Sequence, residues 1–178
     1  MTKEVFHNQP DKAAILKVLA LNNIHQVPKI TKVVINIGVG KLEKDQRAAQ
    51  VQIISEVIGQ KLAPTKASRS IAGFKIRAGQ VVGYRATLRG KKMWLFLNKL
   101  INVALPRTRD FQGLKKSGVT NGGTLNIGIK DLSIFPEVKP DMSRVGGGLE
   151  ICVVSTALGK EQTSKYFRML GFPIEKDQ

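Results

Sequence analysis

The stretch VVGYRATLRGKKMWLFLNKL, residues 81–100, changes from strand periodicity to helix periodicity at Gly90. Before that glycine, apolar residues occupy alternate positions, and the positions between them carry Arg85, Thr87 and Arg89. After it, apolar residues recur at spacings of three, four and seven as far as Pro106, with Trp94 expected in the core. The stretch predicts a strand with one apolar and one cationic face, followed by a helix that packs on the apolar face.

Upstream of this stretch the same two periodicities recur. The run KITKVVINIGVG, residues 29–40, alternates between apolar positions and polar ones that include Lys32 and Asn36, which predicts a second two-faced strand. A helix is expected over 10–22, and another begins at an Asp45 cap and ends at Gly59. A further strand is predicted near 62–66.

Downstream, the run TLNIGIK at 124–130 predicts a strand with Asn126 on its polar side. The apolar run LEICVVSTAL at 149–158 predicts a last strand with Cys152 as a small core residue. A C-terminal helix follows over 160–174. The turn-rich segments 105–123 and 135–148 are expected to be exposed loops.

This order of elements predicts an α+β fold. It consists of a sheet with helices packed on one face and with the other face exposed. Residues 1–178 are expected to form a single domain, in which residues 1–26 are an N-terminal helical segment. The apolar content of 42% is sufficient for one packed core.

Positive charge is concentrated in the middle of the chain. Lys and Arg total 29 and Asp and Glu total 13, so the formal charge is +16. Residues 61–116 hold 14 of the basic residues and one acidic residue, Asp110. Because such an excess opposes compaction unless phosphates or anionic lipids neutralise it, the composition predicts a polyanionic partner.

The outer face of the predicted sheet is suited to RNA. It collects phosphate-pairing cations together with hydrogen-bonding side chains, namely Lys32, Asn36, Arg85, Thr87, Arg89 and Asn126. The wide, shallow minor groove of an RNA helix presents phosphates, 2′-hydroxyls and base edges to a surface of this kind. The sequence contains no helix-turn-helix pattern and no long basic helix for a DNA major groove.

Catalytic chemistry is not visible in the sequence. His7 and His25 have no second ligand at a useful spacing, the acidic residues are scattered, and Cys152 is the single cysteine, so no metal, no cofactor and no enzymatic activity are expected. The alternatives are an RNA-processing enzyme, another kind of RNA-binding protein and a peripheral membrane protein. The N-terminus has no apolar segment, which favours a cytoplasmic location.

Several strings resemble those of the bacterial-type ribosomal protein L5 family, which binds 5S rRNA in the central protuberance of the large ribosomal subunit. They occur in the family's order and cover nearly the whole chain, as VPKITKVVINIGVG (27–40), GQK (59–61), SIAGFKIRAGQVVGYRATLRGKKMWLFL (70–97), LPRTRDFQGL (105–114) and IFPEV (134–138). The closing LGFP also resembles the end of that family.

The resemblance implies a mixed, mostly antiparallel sheet with an exposed RNA-binding face. It also implies a structural ribosomal protein that binds 5S rRNA through this face and helps to attach it to the large-subunit rRNA. The positions that match the family's 5S contacts are Lys32, Asn36, Gln60 and Thr87. Arg89, Arg107 and Arg109 are expected to meet rRNA phosphates, although Asp110 could instead form a local ion pair with the neighbouring arginines.

The resemblance also implies contacts beyond rRNA. The loop over 72–80 matches one that reaches toward the P-site tRNA, which assigns tRNA-proximal roles to Phe74, Lys75, Arg77 and Gln80. For Phe74, stacking on tRNA and packing on its own domain both remain open. Neighbouring ribosomal proteins, among them a small-subunit protein across an intersubunit bridge, complete the expected partners.

Overall fold

A computed structural model describes residues 12–40, 44–109, 111–138 and 148–175. The predicted roles of His7 and Asp110, the capping side chain of Asp45 and most of the loop over 135–148 lie outside the described residues. The helices and strands are α1 Lys12–Val18, β1 Ile30–Gly38, α2 Lys44–Ile58, β2 Ala63–Lys66, β3 Val81–Leu88, α3 Gly90–Lys99, β4 Thr124–Ile129, β5 Leu149–Ser155 and α4 Lys160–Met169.

The five strands form one sheet in the order β2-β3-β1-β5-β4, and its strands are antiparallel. In the pairing of β2 with β3, Ala63 lies opposite Arg85 and Pro64 opposite Tyr84, and a bulge follows Thr65. Every residue of β2 is exposed, and Pro64 is tolerated there because an edge strand has a free hydrogen-bonding side. The predicted α+β class is confirmed.

The described residues group into two compact units. The first unit contains residues 12–33, 89–109, 111–127 and 152–175, and the second contains 34–40, 44–88, 128–138 and 148–151. Strands β1, β4 and β5 contribute residues to both. Each unit has its own buried apolar residues.

In the second unit, the strands and α2 bury alternate or helically spaced apolar residues. Ile35, Ile37 and Leu88 are buried on β1 and β3, and α2 contributes Ile54 and Val57. Burying each such side chain stabilises the fold by about 1.5–3 kcal/mol. The α2 helix ends where it was predicted to end, because Gly59 adopts a φ of +69° that L side chains rarely adopt.

In the first unit, α4 carries the aromatic part of the core. Tyr166 and Phe167 are buried, and Phe172 meets the ring of Phe167 edge-on at a centroid distance of 5.4 Å. Ile15 of α1 is buried, and α1 packs against α4. The α3 helix contributes Met93, Phe96 and Leu97, and then continues as a π-helical segment Leu100–Ala104 and a 3-10 turn Leu105–Arg107.

Two residues predicted to be in the core are only half-buried. Trp94 lies at the margin of the α3 apolar face, whereas Phe96 is 2% exposed. Cys152 lies on the outer side of β5, because Ile151 and Val153 take the inward positions of that strand. Because residues 151–154 are all apolar, the sequence of β5 shows no two-residue alternation there, and the prediction that Cys152 lies in the core was wrong.

The segments predicted to be exposed loops are partly packed. Leu105 and Val119 are buried, and Val119 forms an isolated bridge with Leu125 at the start of β4. Phe135 is completely buried and Val138 is nearly so. In the described parts of these segments, the buried apolar side chains between the turn-forming residues anchor the chain.

Candidate nucleic-acid interface

The second unit carries a set of polar side chains, on its strands and in the turn after α2, that we call the polar face, defined as Asn36, Gln60, Arg85, Thr87 and Glu150. Asn36 on β1, Arg85 and Thr87 on β3 and Glu150 on β5 are exposed, and Gln60 is half-buried. The residues between them along each strand point inward, as the burial pattern shows. The alternation in sequence therefore predicted the exposed positions on β1 and β3 correctly.

A glycine brings β1 and β3 into close contact at the polar face. The Val39 amide donates a hydrogen bond to the Val82 carbonyl at 3.0 Å, and a Cβ atom at Gly83 would lie 2.7 Å from the Ile37 carbonyl oxygen. That separation is shorter than any real Cβ contact, so only glycine fits at position 83 without a shift of the strands. The same position lies 4.0 Å from Oδ1 of Asn36.

Gln60 is held against the end of β3. Its Nε2 donates a hydrogen bond to the Thr87 carbonyl oxygen at 3.2 Å, which fixes the amide beside the backbone of Thr87. The turn after α2 places it there, since the Gly59 and Gln60 amides both donate to the Ser55 carbonyl, at 2.9 and 3.3 Å. Gln60 therefore combines a structural hydrogen bond with a carbonyl oxygen that can accept a further one.

Glu150 also belongs to the polar face, although it was not predicted from the sequence. Its Oε2 accepts a hydrogen bond from Nδ2 of Asn36 at 3.4 Å, so the two side chains orient each other. The signal was present in the sequence, because inward positions for Leu149 and Ile151 require Glu150 to face outward. A carboxylate on this surface repels phosphate and favours hydrogen-bond donors such as ribose hydroxyls and base amino groups.

The segment over residues 67–80, which we call the tip loop, is a closed hairpin with an exposed end. Its base is fixed by hydrogen bonds from the Ala67 amide to the Gln80 carbonyl and from the Gly79 amide to the Ala67 carbonyl, at 2.8 and 2.9 Å. Oε1 of Gln80 accepts from the Arg77 amide at 3.1 Å, so this side chain shapes the loop. Lys75 takes a left-handed φ of +54°.

Phe74 is exposed at the end of the tip loop. Its side chain is 75% accessible, and Ile71 beside it is 47% accessible. The alternative that Phe74 packs on its own domain is therefore wrong. An aromatic ring held in solvent by a hydrogen-bonded loop is available to stack on a planar partner, and Lys75 and Arg77 are exposed next to it.

The remaining predicted site residues lie in the first unit. Arg89 directly precedes α3, and its side chain is exposed and makes no capping hydrogen bond. Arg107 and Arg109 are exposed, and Asn126 is exposed on β4, while Lys32 is half-buried on β1. All five of these side chains lie in the first unit.

Metal-ion chemistry has no support in the described residues. Among them, no three His, Cys, Asp or Glu side chains are grouped closely enough to hold a metal ion. His25 is exposed.

None of the described helices combines the length and the apolar character that crossing a membrane would require.

Two protein-family models match the chain. The model described as the C-terminus of the ribosomal L5 protein family covers residues 81–174, and that of ribosomal protein L5 covers residues 23–77. Together they include every residue of the tip loop except 78–80, and all of the polar face. The match therefore extends over both compact units.

Individual relatives are similar over nearly their full lengths. The large ribosomal subunit protein uL5 of Thermus aquaticus is 43% identical over 164 residues, which is 91% of this chain and 90% of the relative. The protein of the same name from Thermosipho africanus is 39% identical over 176 residues, or 98% and 97% of the two chains. That of Campylobacter jejuni is 42% identical over 172 residues, or 96% and 95%.

Proposed function

Because the chain belongs to the ribosomal protein L5 family, we propose that it binds 5S rRNA through the polar face and helps to attach this RNA to large-subunit rRNA in the central protuberance. The protein is a constituent of the large ribosomal subunit in the cytoplasm. Its family is non-enzymatic, so an RNA-processing activity is not retained as an alternative.

The observation that carries the proposal is the exposed pair Asn36 and Thr87 on neighbouring strands of the sheet. Both side chains are uncharged and can donate as well as accept hydrogen bonds, which suits the 2′-hydroxyls and base edges of an RNA minor groove. Arg85 is exposed two residues before Thr87 and supplies a cation for a phosphate. Gln60 adds an amide oxygen at the same end of β3.

Glu150 refines the chemistry expected at Asn36. The Asn36 amide nitrogen is directed to the carboxylate, which leaves its Oδ1 to accept a hydrogen bond from the RNA. Phosphates are disfavoured beside Glu150, so a ribose hydroxyl or a base amino group is expected at this place. Lys32 lies in the first unit and is assigned to 5S rRNA, and Asn126 of the same unit is assigned to rRNA.

We further infer that the tip loop lies near the P-site tRNA. Phe74 supports this proposal by its exposure, since a ring that is 75% accessible can stack on a ribose or a base. Lys75 and Arg77 would pair with tRNA phosphates. Gln80 is assigned to the shape of the loop, because its side chain bonds to the Arg77 amide.

The arginines of the first unit are assigned to large-subunit rRNA. Arg89, Arg107 and Arg109 are exposed, and a guanidinium pairs bidentately with phosphate. We also propose contacts with neighbouring ribosomal proteins, including one of the small subunit across an intersubunit bridge, and this proposal is supported by family membership alone.

A site-directed crosslinking experiment tests these assignments together. Thr87→Cys and Phe74→Cys are each introduced in a Cys152→Ser background, which removes the only natural thiol. Each variant is modified with a short thiol-reactive photo-crosslinker and incorporated into large subunits. We expect Thr87→Cys to crosslink to 5S rRNA, and Phe74→Cys to crosslink to tRNA bound in the P site of reassembled ribosomes.

The control is Ser117→Cys, an exposed position in a 3-10 turn to which no RNA contact is assigned. Crosslinks from Thr87→Cys to other RNA alone would contradict 5S recognition by the polar face. Crosslinks from Phe74→Cys that do not depend on bound tRNA would contradict the role of the tip loop.

A further inference from the structure

The first unit contains a cavity of about 390 Å³ that the proposed RNA contacts do not use. Its walls come from α1, from the segment over 24–30, from α3 and from α4. Ile15, Ile30 and Leu170 are buried and form an apolar part of the lining. The volume is within the range of about 300–1,000 Å³ that is typical of small-molecule sites.

The charge around this cavity is of one sign. Lys12 and Lys29 line it, together with His25, and all three side chains are exposed. None of the described residues that line the cavity is acidic. Charge complementarity therefore favours an anionic ligand.

Aromatic and polar groups of the lining suit a planar ring with a polar edge. Trp94 is half-buried and offers an indole for stacking. Oγ1 of Thr156 accepts a hydrogen bond from the Lys29 amide at 3.0 Å, which leaves its own proton to donate. Burial raises the pKa of Tyr166 to about 12, and this value already includes the smaller opposite effect of a backbone hydrogen bond with Ile30. The phenol therefore stays neutral beside an anion.

The rim of the cavity is held in place before any ligand binds. Oδ1 of Asn23 accepts from the His25 amide at 2.9 Å, and the Gln26 amide donates to the Asn23 carbonyl at 3.0 Å. The Thr156 amide donates to the Lys29 carbonyl, also at 3.0 Å. A preformed rim lowers the entropy cost of binding.

We propose that this cavity is a second nucleotide-binding site, in which the base stacks on Trp94 and the phosphate pairs with Lys12 and Lys29. An apolar side chain of a peptide would leave the Thr156 hydroxyl without a partner, whereas a base edge can accept from it. The site goes beyond the proposed 5S contacts and does not depend on them. Its ligand is either a free mononucleotide or a nucleotide extruded from RNA.

The single tryptophan of the chain reports on the site directly. Titration of the full chain with 5′-AMP is expected to change Trp94 fluorescence saturably, because stacking alters the environment of the indole. Adenosine should bind more weakly because it lacks the phosphate. Inorganic phosphate alone should leave the emission unchanged.

Matched lysine variants distinguish binding in the cavity from nonspecific attraction of AMP to a basic protein. Lys29→Gln is expected to weaken AMP binding by about fivefold, the upper end of what losing one exposed ion pair costs. Lys160→Gln removes an exposed lysine of the same unit that does not line the cavity, and it should bind AMP like the wild type. Equal affinities of the two variants would overturn the proposal.

Single-stranded oligoadenylate identifies the source of the ligand. Saturable quenching by AMP alone indicates a free mononucleotide, and quenching by the oligomer alone indicates an extruded nucleotide. The proposal is overturned if neither AMP nor the oligomer quenches the fluorescence. It is also overturned if the only titrant that quenches it is an acidic peptide with an aromatic residue. Thr87→Ala should leave the AMP response unchanged, so failure of this site and failure of 5S binding are distinguishable.

Discussion

Replacement of Asn36 and Thr87 together by alanine is expected to weaken binding of 5S rRNA by about 10- to 100-fold, because each truncation removes a hydrogen bond of about 0.5–1.5 kcal/mol and leaves an RNA group unpaired. The free energy of unfolding should change by less than about 1 kcal/mol, since both side chains are exposed. Electrophoretic mobility shift measures the affinity, and thermal melting measures the stability.

The matched control is the pair Asn22→Ala and Ser117→Ala. Both residues are exposed, and neither lies on a strand. The control should bind 5S rRNA like the wild type. A large loss of thermal stability in Asn36→Ala with Thr87→Ala would instead show that these side chains serve folding, and it would contradict their assignment to RNA.

Gly83→Ala is expected to destabilise the protein by about 2 kcal/mol, the cost typical of forcing an extra methyl group into a packed site. The new Cβ would lie 2.7 Å from the Ile37 carbonyl oxygen, and backbone on both strands would have to move. The midpoint of thermal unfolding should fall by about 4–8 °C for a chain of this length. Differential scanning calorimetry measures both quantities.

Gly38→Ala provides the comparison within the same sheet. A Cβ at Gly38 meets nothing within 4 Å, so the substitution should be neutral or stabilise the protein by about 0.4–1 kcal/mol through the unfolded state. Equal melting of both variants would contradict the close approach of β1 and β3 at the polar face.

The strands and their outer residues could be predicted from local pattern. Two-residue alternation assigned Asn36, Arg85 and Thr87 to an outer face because, in each strand, polar letters interrupt the apolar ones. The end of α2 at Gly59 was also predictable from the sequence, because glycine is the residue that most readily adopts the positive φ at which a helix ends.

What escaped prediction depends on tertiary context. The apolar run of β5 concealed the outward position of Cys152, which depends on how this strand pairs within the sheet. The half-burial of Trp94 follows from a cavity that no local pattern encodes. Exposure of Phe74 was undecidable for the same reason, because a ring in a loop can either pack or project.

The central claim is that this chain recognises 5S rRNA specifically, and the most direct test compares its affinity for 5S rRNA and for a scrambled RNA of the same length across salt concentrations. If about five phosphates are paired, log K for 5S rRNA should fall with log salt at a slope of roughly −3.5 to −4.5. We expect 5S rRNA to bind more tightly than the scrambled RNA at every salt concentration. Equal affinity for the two RNAs would contradict the claim.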